Sequence, residues 1–525
     1  MRFNTTTRGI SKITNHEGAT AFTMSDELAL YTAVASSALQ DAAYEGADVR
    51  VERLQHLIRK CDPLFVAQLA VYARTSMNLR SVPLLLICEL ARTTNGSNLV
   101  ARATDMVVQR ADEITELLAC YSFVNGHNVS GHIGKLSKQI QKGLASAFNR
   151  FDEYQFAKYD RKTAVTLRDA LFMVHPKAKD AQQQRIFDKI VDRSLQTPYT
   201  WETELSSVGT KEYNSDKDRE AAFRKTWEEL IDSGRVGYMA LLRNLRNILK
   251  ANVSPAHIEH VCKVLSDPAQ VQQSKQFPFR FLSAYRQLEN VRTSGFKGSF
   301  MNMVKSFVRG DQWMVSSILE ALERAAAASA ANISGFDADT RVLIACDVSG
   351  SMCVPVSRAS TVQYYDIGLV LGMLLRAKCK NVKVGMFGDK WKVINVPVSN
   401  ILSNVQYLRE RAGEVGYSTN GHLVIEDLIS RRLVMDKVML FTDCQLWNSH
   451  ADGGDIEQAW KQYKSKVAPY ARLYLFDLAG YGQSPIRVLE DDVHLIAGWS
   501  DKIFQVMESI EHGSRTLDVV KGIKM

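Results

Sequence analysis

Long apolar runs are missing from this 525-residue chain: no window approaches a membrane span, and the first twenty residues, MRFNTTTRGISKITNHEGAT, lack the apolar core of a signal peptide. A cytoplasmic protein with no membrane partner is expected. The eight cysteines, at 61, 88, 120, 262, 346, 353, 379 and 444, include no CxxC pair. The usual spacing of a zinc or redox motif is therefore absent, and a chain this large needs no disulfide framework, so they read as reduced thiols. What remains is ordinary: 46% apolar and 23% charged residues, enough for at least two cores.

The net charge of +8 becomes informative when divided. Residues 336–525 hold 22 Lys+Arg and 22 Asp+Glu, so the whole surplus lies in the first 335 residues. That asymmetry points to a polyanion facing the N-terminal part, although solvated surface alone could account for a surplus so thinly spread. The densest stretch is Lys135 to Arg168. It carries Lys135, Lys138, Lys142, Arg150, Lys158, Arg161, Lys162 and Arg168 against Asp152, Glu153 and Asp160. Spacing of i, i+3 and i+7 predicts that Lys135, Lys138 and Lys142 line one helical face. Phe148, Phe151, Tyr154, Phe156 and Tyr159 interleave. Basic groups neutralise phosphates and aromatic faces stack on unpaired bases, but most such aromatics belong to the core, so only one or two are expected to serve RNA.

The N-terminal part has helical periodicity almost throughout: Asp26–Asp41, Val49–Cys61, Pro63–Ser76, Val82–Thr93 and Leu99–Arg110 repeat apolar residues at three and four, with short breakers between. Helix and turn units without a competing strand describe an α-solenoid of degenerate repeats. The Ala-rich Arg324–Ala331 followed by Asn332-Ile-Ser-Gly335 reads as a linker. Beyond it, strand-like runs at 342–346, 382–387, 438–442, 473–476 and 493–496 alternate with helical segments at 364–378, 421–432, 455–466 and 501–512. That alternation predicts a largely parallel sheet covered on both faces. The domains expected are a flexible N-terminus (1–20), a helical-repeat RNA-binding domain (21–335) and a doubly wound α/β domain (336–525).

Arg341–Ser351, RVLIACDVSGS, is an apolar run that stops on Asp347 and continues with Ser349 and Ser351. A buried strand ending on a carboxylate and two hydroxyls presents oxygen ligands where open α/β sheets place them. These donors are too few for calcium and suit magnesium, which keeps several waters. Thr419, in the loop Gly416–Gly421, and Asp443, at the end of Lys437–Asp443, are the candidates for completing the set. The five positions resemble the von Willebrand factor A domain and its metal-ion-dependent adhesion site, written Asp-x-Ser-x-Ser, then Thr, then Asp. The resemblance implies Mg2+ or another divalent cation, with one position open to a partner's carboxylate or to water. A domain that keeps the loops but binds no metal is the alternative. No nucleophile and base accompany the set, and a hydrolase using Asp347 would want a second Asp where Val348 and Ser349 stand.

Three further segments, Leu167–Lys177 with RDALFMVHPK, Gly237–Lys250 (GYMALLRNLRNILK) and Phe277–Tyr285 (FPFRFLSAY), resemble the TROVE module of the Ro autoantigen family. They occur in the family's order and precede the A domain, so the likeness covers nearly the whole chain from about residue 20, and its compactness suggests a bacterial-type or phage-encoded member. The resemblance implies a HEAT-like ring of helical repeats closed by the A domain. It further implies an RNA-binding scaffold that is not an enzyme, taking Y-like small noncoding RNA on its outer basic surface and single-stranded ends of misfolded noncoding RNA in its hole. It places RNA contacts on His175, Lys158 and Lys162. His175 alone would otherwise read as a helix end before Pro176. Lys162 stands where relatives can carry Arg, which exchanges a bidentate phosphate contact for a point charge. Arg243 and Arg246 are left structural. A monomer is expected, working as a ribonucleoprotein scaffold or in RNA quality control. The alternative is a metal-dependent adhesion scaffold whose A domain recruits an acidic protein partner; basic side chains clustered on one face would favour RNA.

Overall fold

The computed structural model describes residues 11–36, 47–126, 135–160, 163–293, 312–330, 339–356, 360–447, 455–487, 492–498, 503–512 and 515–525. Lys162 and the expected linker at 332–335 lie outside them. Two compact units emerge. The first comprises the helices between Asp26 and Asp192 with the C-terminal segment from Leu517. The second comprises the N-terminal hairpin, the helices from Trp201 to Ala330 and the α/β sheet.

Helix starts in the first unit follow local chemistry. Asp62 accepts the Leu64 N–H ahead of Pro63 at the head of helix Pro63–Thr75, and Thr166 with Asp169 forms a capping box on Leu167–Val174. Each helix packs on the one two steps later: Pro63–Thr75 on Leu99–Val107, Ser81–Thr93 on Ala111–Val124, and Leu99–Val107 on Lys138–Phe148. This is the stacking of a solenoid. Gly143 makes the last of these possible, because a Cβ there would sit 2.5 Å from Thr104 Cβ and 2.6 Å from Ala101 O. A buried Arg74–Glu113 ion pair at 2.8 Å joins two of the layers, and Glu113 also accepts the N–H groups of Gln109 and Arg110. The C-terminal segment is tied down by Gln68 Nε2, which donates to Lys521 O and Ile523 O at 2.8 and 3.0 Å.

In the second unit, β3 (Arg341–Asp347), β4 (Asn381–Phe387), β5 (Trp391–Val393), β6 (Lys437–Thr442), β7 (Arg472–Asp477) and β9 (Val493–Ala497) form one sheet in the order β5-β4-β3-β6-β7-β9. All neighbours are parallel except β5, an antiparallel edge strand. The five expected strands are present within a residue at each end. From β3 the chain passes first to β4 on one side and later to β6 on the other, so a topological switch point opens between the ends of β3 and β6. The helix Tyr364–Lys378 packs on β3 and β6. Three elements were not anticipated: β5, the helix Ile401–Glu410, and a small sheet in which β1 (Lys12–Thr14), β2 (Thr20–Thr23) and β8 (Gln483–Ser484) pair in that order. Residues 12–14, expected in a flexible N-terminus, are therefore strand, because β2 gives them a hairpin partner and is itself held by β8.

Candidate nucleic-acid interface and metal centre

The basic stretch resolves into two clusters in the first unit. The helix Lys138–Phe148 begins after Ser137, so Lys135 precedes it and does not share a helical face with Lys138 and Lys142 as expected. The periodicity continued into a segment that the chain uses to enter the helix. Lys138 and Lys142 are exposed; Lys138 donates to Gln141 Oε1 and Lys142 to Asn98 Oδ1, both at 3.1 Å. Gln141 Nε2 in turn donates to Met173 O and Val174 O at 3.2 Å, which seats His175 beside that helix. His175 caps Leu167–Val174 in the left-handed conformation, φ +49°, donating its N–H to Leu171 O, and its ring faces solvent. The following segment is fastened to the same helix by Asn149, whose Nδ2 donates to Lys177 O while its Oδ1 accepts the Lys179 N–H. Lys177 and Lys179 thus join the seam exposed. Sequence reasoning missed them because the tether, Asn149, is a polar residue that looked like any helix end.

The second cluster is Lys158, on the helix Glu153–Tyr159. Its ammonium lies 5.9 Å from the Tyr154 ring and 5.7 Å from that of Tyr159, which also stacks under Arg110 at 4.4 Å. Nearby on Leu167–Val174, Arg168 lies over Phe172, 5.5 Å from the ring. The aromatics divide as expected. Phe148, Phe151 and Phe156 are buried against one another and Phe187, whereas Tyr154 is 48% and Phe172 49% exposed. Arg150 is spent on the fold, pairing with the Asp105 carboxylate and backbone. No described contact joins Lys158 directly to His175.

The metal positions converge at the switch point. Asp347 ends β3, and its Oδ1 accepts the Ser349 N–H at 2.9 Å while its Oδ2 accepts the Thr442 hydroxyl at 2.7 Å. Ser349 and Ser351 hydroxyls stand 3.3 Å apart. Gly350 N–H donates to Tyr417 O, and Trp447 N–H to Thr419 O, so the loops after β3, before the helix His422–Ser430, and after β6 are laced together. Both aspartates are fully buried. Burial, and then the charge of Asp443, push the Asp347 carboxyl up; burial is also the main cause at Asp443. Thr419 Oγ1 and Asp443 Oδ2 are buried with no hydrogen-bond partner. Two carboxylates that repel each other and three hydroxyls, with Thr419 Oγ1 and Asp443 Oδ2 left unpartnered, are a set that fits a hard divalent cation. Among the described residues, this cleft included, no three His, Cys, Asp or Glu side chains converge on a possible metal, so hydroxyls and water would have to supply most of the donors here.

A family model for the TROVE domain matches residues 21–226 and 192–334, and one for the Ro60 vWA domain matches 341–510. The chain belongs to the TROVE family. This TROVE chain is similar in fold to the crystal structure of the Deinococcus radiodurans RO (RSR) protein, with a TM-score of 0.60 at 19% identity, over 92% of this chain and 99% of that one. Telomerase protein component 1 of Rattus norvegicus and of Mus musculus are 42% and 41% identical to it over 97 residues, 18% of this TROVE chain. Those 97 residues amount to 3% of either relative's length.

Proposed function

We propose that this TROVE-family chain is an RNA-binding protein, taking Y-like small noncoding RNA and the single-stranded ends of misfolded noncoding RNA as a ribonucleoprotein scaffold or in quality control. The observation that carries the reading is the clustering of exposed cations and rings on connected helices: Lys138, Lys142, His175, Lys177 and Lys179 along one seam, and Lys158 with Tyr154 and Tyr159 on another. Clustering favours RNA over an adhesion scaffold with incidental charge. Ammonium groups that contact phosphates position a strand without reading it, and the exposed Tyr154 ring offers a stacking platform for an unpaired base. Lys162, outside the described residues, and Lys135 are proposed as further phosphate contacts.

Asp347, Ser349, Ser351, Thr419 and Asp443 would hold Mg2+ or a similar divalent cation. When bound, the cation supplies a positive point that can accept one further oxygen from water or a partner's carboxylate. Its donors are two carboxylates and three hydroxyls, a ligand set with no nucleophile and base pair within it, which suits adhesion. A cytoplasmic location follows from RNA as ligand; no described helix is long and apolar enough to cross a membrane. Cross-linking the protein to RNA in cells and sequencing what is bound tests the main reading. Recovery of structured small RNAs and 3′-extended transcripts is expected; recovery no better than from an uncross-linked control would end it.

A further inference from the structure

The helix Ile456–Lys466 presents one face to a cavity of about 320 Å³ in the second unit, lined by neither the RNA seam nor the five residues of the cation cleft. Glu457, Trp460, Lys461, Lys464 and Ser465 line it at i, i+3, i+4, i+7 and i+8, the spacing of a single helical face. Ile486 and Arg487, just beyond β8, and Asp492 and Val493, where β9 begins, help to close it. A second hollow of about 500 Å³ shares Glu457, Lys461 and Arg487 with the first and adds Lys12 and Phe22 from the N-terminal hairpin. The Arg487 guanidinium lies 5.5 Å from the Phe22 ring.

The carboxylates at these hollows are already engaged. Glu457, 6% exposed, accepts Lys461 Nζ at 2.6 Å and Arg487 Nη2 and Nε at 2.6 and 3.0 Å. Asp492 accepts the Trp460 indole N–H at 3.1 Å and stands 3.7 Å from Lys464 Nζ, and Asp455 caps the helix by accepting the Glu457 N–H. The cations keep capacity in hand, since an ammonium carries three donors and a guanidinium five. Among the described residues, Arg487 Nη1 makes no hydrogen bond, Lys461 makes one, to Glu457, and Lys464 makes one, to Ala471 O at 2.8 Å. Lys12 is exposed and has no ion pair among those residues. Four cations thus meet three carboxylates across the two hollows, and the charged groups' spare capacity on the basic side is donor. Between the charged heads the first cavity is walled by Trp460, Ile486 and Val493, ring and aliphatic carbon.

We propose that this cavity binds a small organic monoanion, with its carboxylate held by Arg487 Nη1 and Lys461 Nζ and its flat or aliphatic body set against Trp460, Ile486 and Val493. The volume lies at the lower end of small-molecule sites, roughly 300–1,000 Å³, and an apolar wall with a few converging polar groups is their usual make-up. Lys461, Lys464 and Arg487 against Glu457 and Asp492 leave one net positive charge, which a monoanion neutralises and a dianion would exceed. Glu457 fixes the recognition, because by holding Nε and Nη2 of Arg487 it orients the guanidinium and leaves Nη1 for the ligand. The site rests on neither the RNA nor the cation reading.

The test is calorimetric titration of the full chain with 2-naphthoate and with 2-naphthamide, its uncharged counterpart of the same shape. Wild type should bind one naphthoate, about tenfold more tightly than the amide, because only the acid offers a charged acceptor to the two cations. Arg487→Gln should bring acid and amide to within about threefold of each other by weakening the acid alone. Ser465→Trp fills the cavity from an exposed helix position that belongs to no ion pair, so it should bind neither compound while melting as wild type does. If Arg487→Gln fails to fold, Ser465→Trp decides alone. No naphthoate binding by wild type, equal affinity for acid and amide, or naphthoate binding that Ser465→Trp leaves intact would each overturn the site.

Discussion

Arg286 holds Asp366 in a two-pronged buried ion pair, Nη1 to Oδ2 and Nη2 to Oδ1, each at 2.6 Å. It joins the helix Pro278–Thr293 to the first helix of the α/β sheet, and Asp366 also accepts the Gln363 N–H as part of a capping box. Removing one partner strands a buried charge, whereas removing both does not. Arg286→Met should therefore cost about 3–5 kcal/mol of stability. Arg286→Met with Asp366→Asn should recover a substantial part, as read by urea denaturation. Equal losses in the single and double variants would show that the pair contributes little beyond packing.

Gly143→Ala should destabilise the first unit, because its Cβ would strike Thr104 and the Ala101 carbonyl. Overpacking of this kind costs about 1–3 kcal/mol. Thermal melts of Gly143→Ala, alone and on a Thr104→Gly background, check it; the added loss should be smaller on that background, since glycine at 104 removes the Cβ and Cγ2 that the new methyl would strike.

RNA affinity should reside in residues before 336 and fall by about 0.7 to 0.9 log units per phosphate contact for each log unit of salt. Alanine at Lys135, Lys138 and Lys142 together should weaken all RNAs alike. His175→Asn, a residue that tolerates the left-handed backbone, and Lys158→Ala with Lys162→Ala should lower binding while leaving the thermal midpoint nearly unchanged. Filter binding across a salt series, with melting curves alongside, separates lost contacts from lost folding.

If the cleft binds Mg2+, the cation should raise the melting temperature of wild type, by an amount equivalent to about 2.7 kcal/mol at one hundred times its dissociation constant. Chelation should reverse this. Asp347→Ala should show no response to Mg2+ yet bind RNA as wild type does. Loss of both would mean that the RNA surface and the cleft are one site.

The legible parts of this structure were those whose cause is local. Helix Tyr364–Lys378 was readable from its apolar face, and Asp347 and Asp443 from the ends of apolar runs. The helix Ile401–Glu410 was not, because Asn400 gives it no side-chain cap; its first free N–H groups, on Leu402 and Ser403, donate instead to Glu323, some eighty residues away. β1 and β2 are too short to announce themselves and depend on Ser484 for company. Lys135 was misplaced because periodicity marks a face but not where a helix begins. At the proposed RNA surface, the seam formed by Asn149 and Gln141 is tertiary, so sequence showed the cations but not which segments it fastens together.

His175 carries a price of its own. A β-carbon in the left-handed region costs about 1–2 kcal/mol, and Pro176 restricts the same backbone further. Glycine would relax the position. Library selection for thermal resistance should therefore enrich Gly at 175 and selection for ligand capture should enrich His, so that the two screens rank this one site in opposite order.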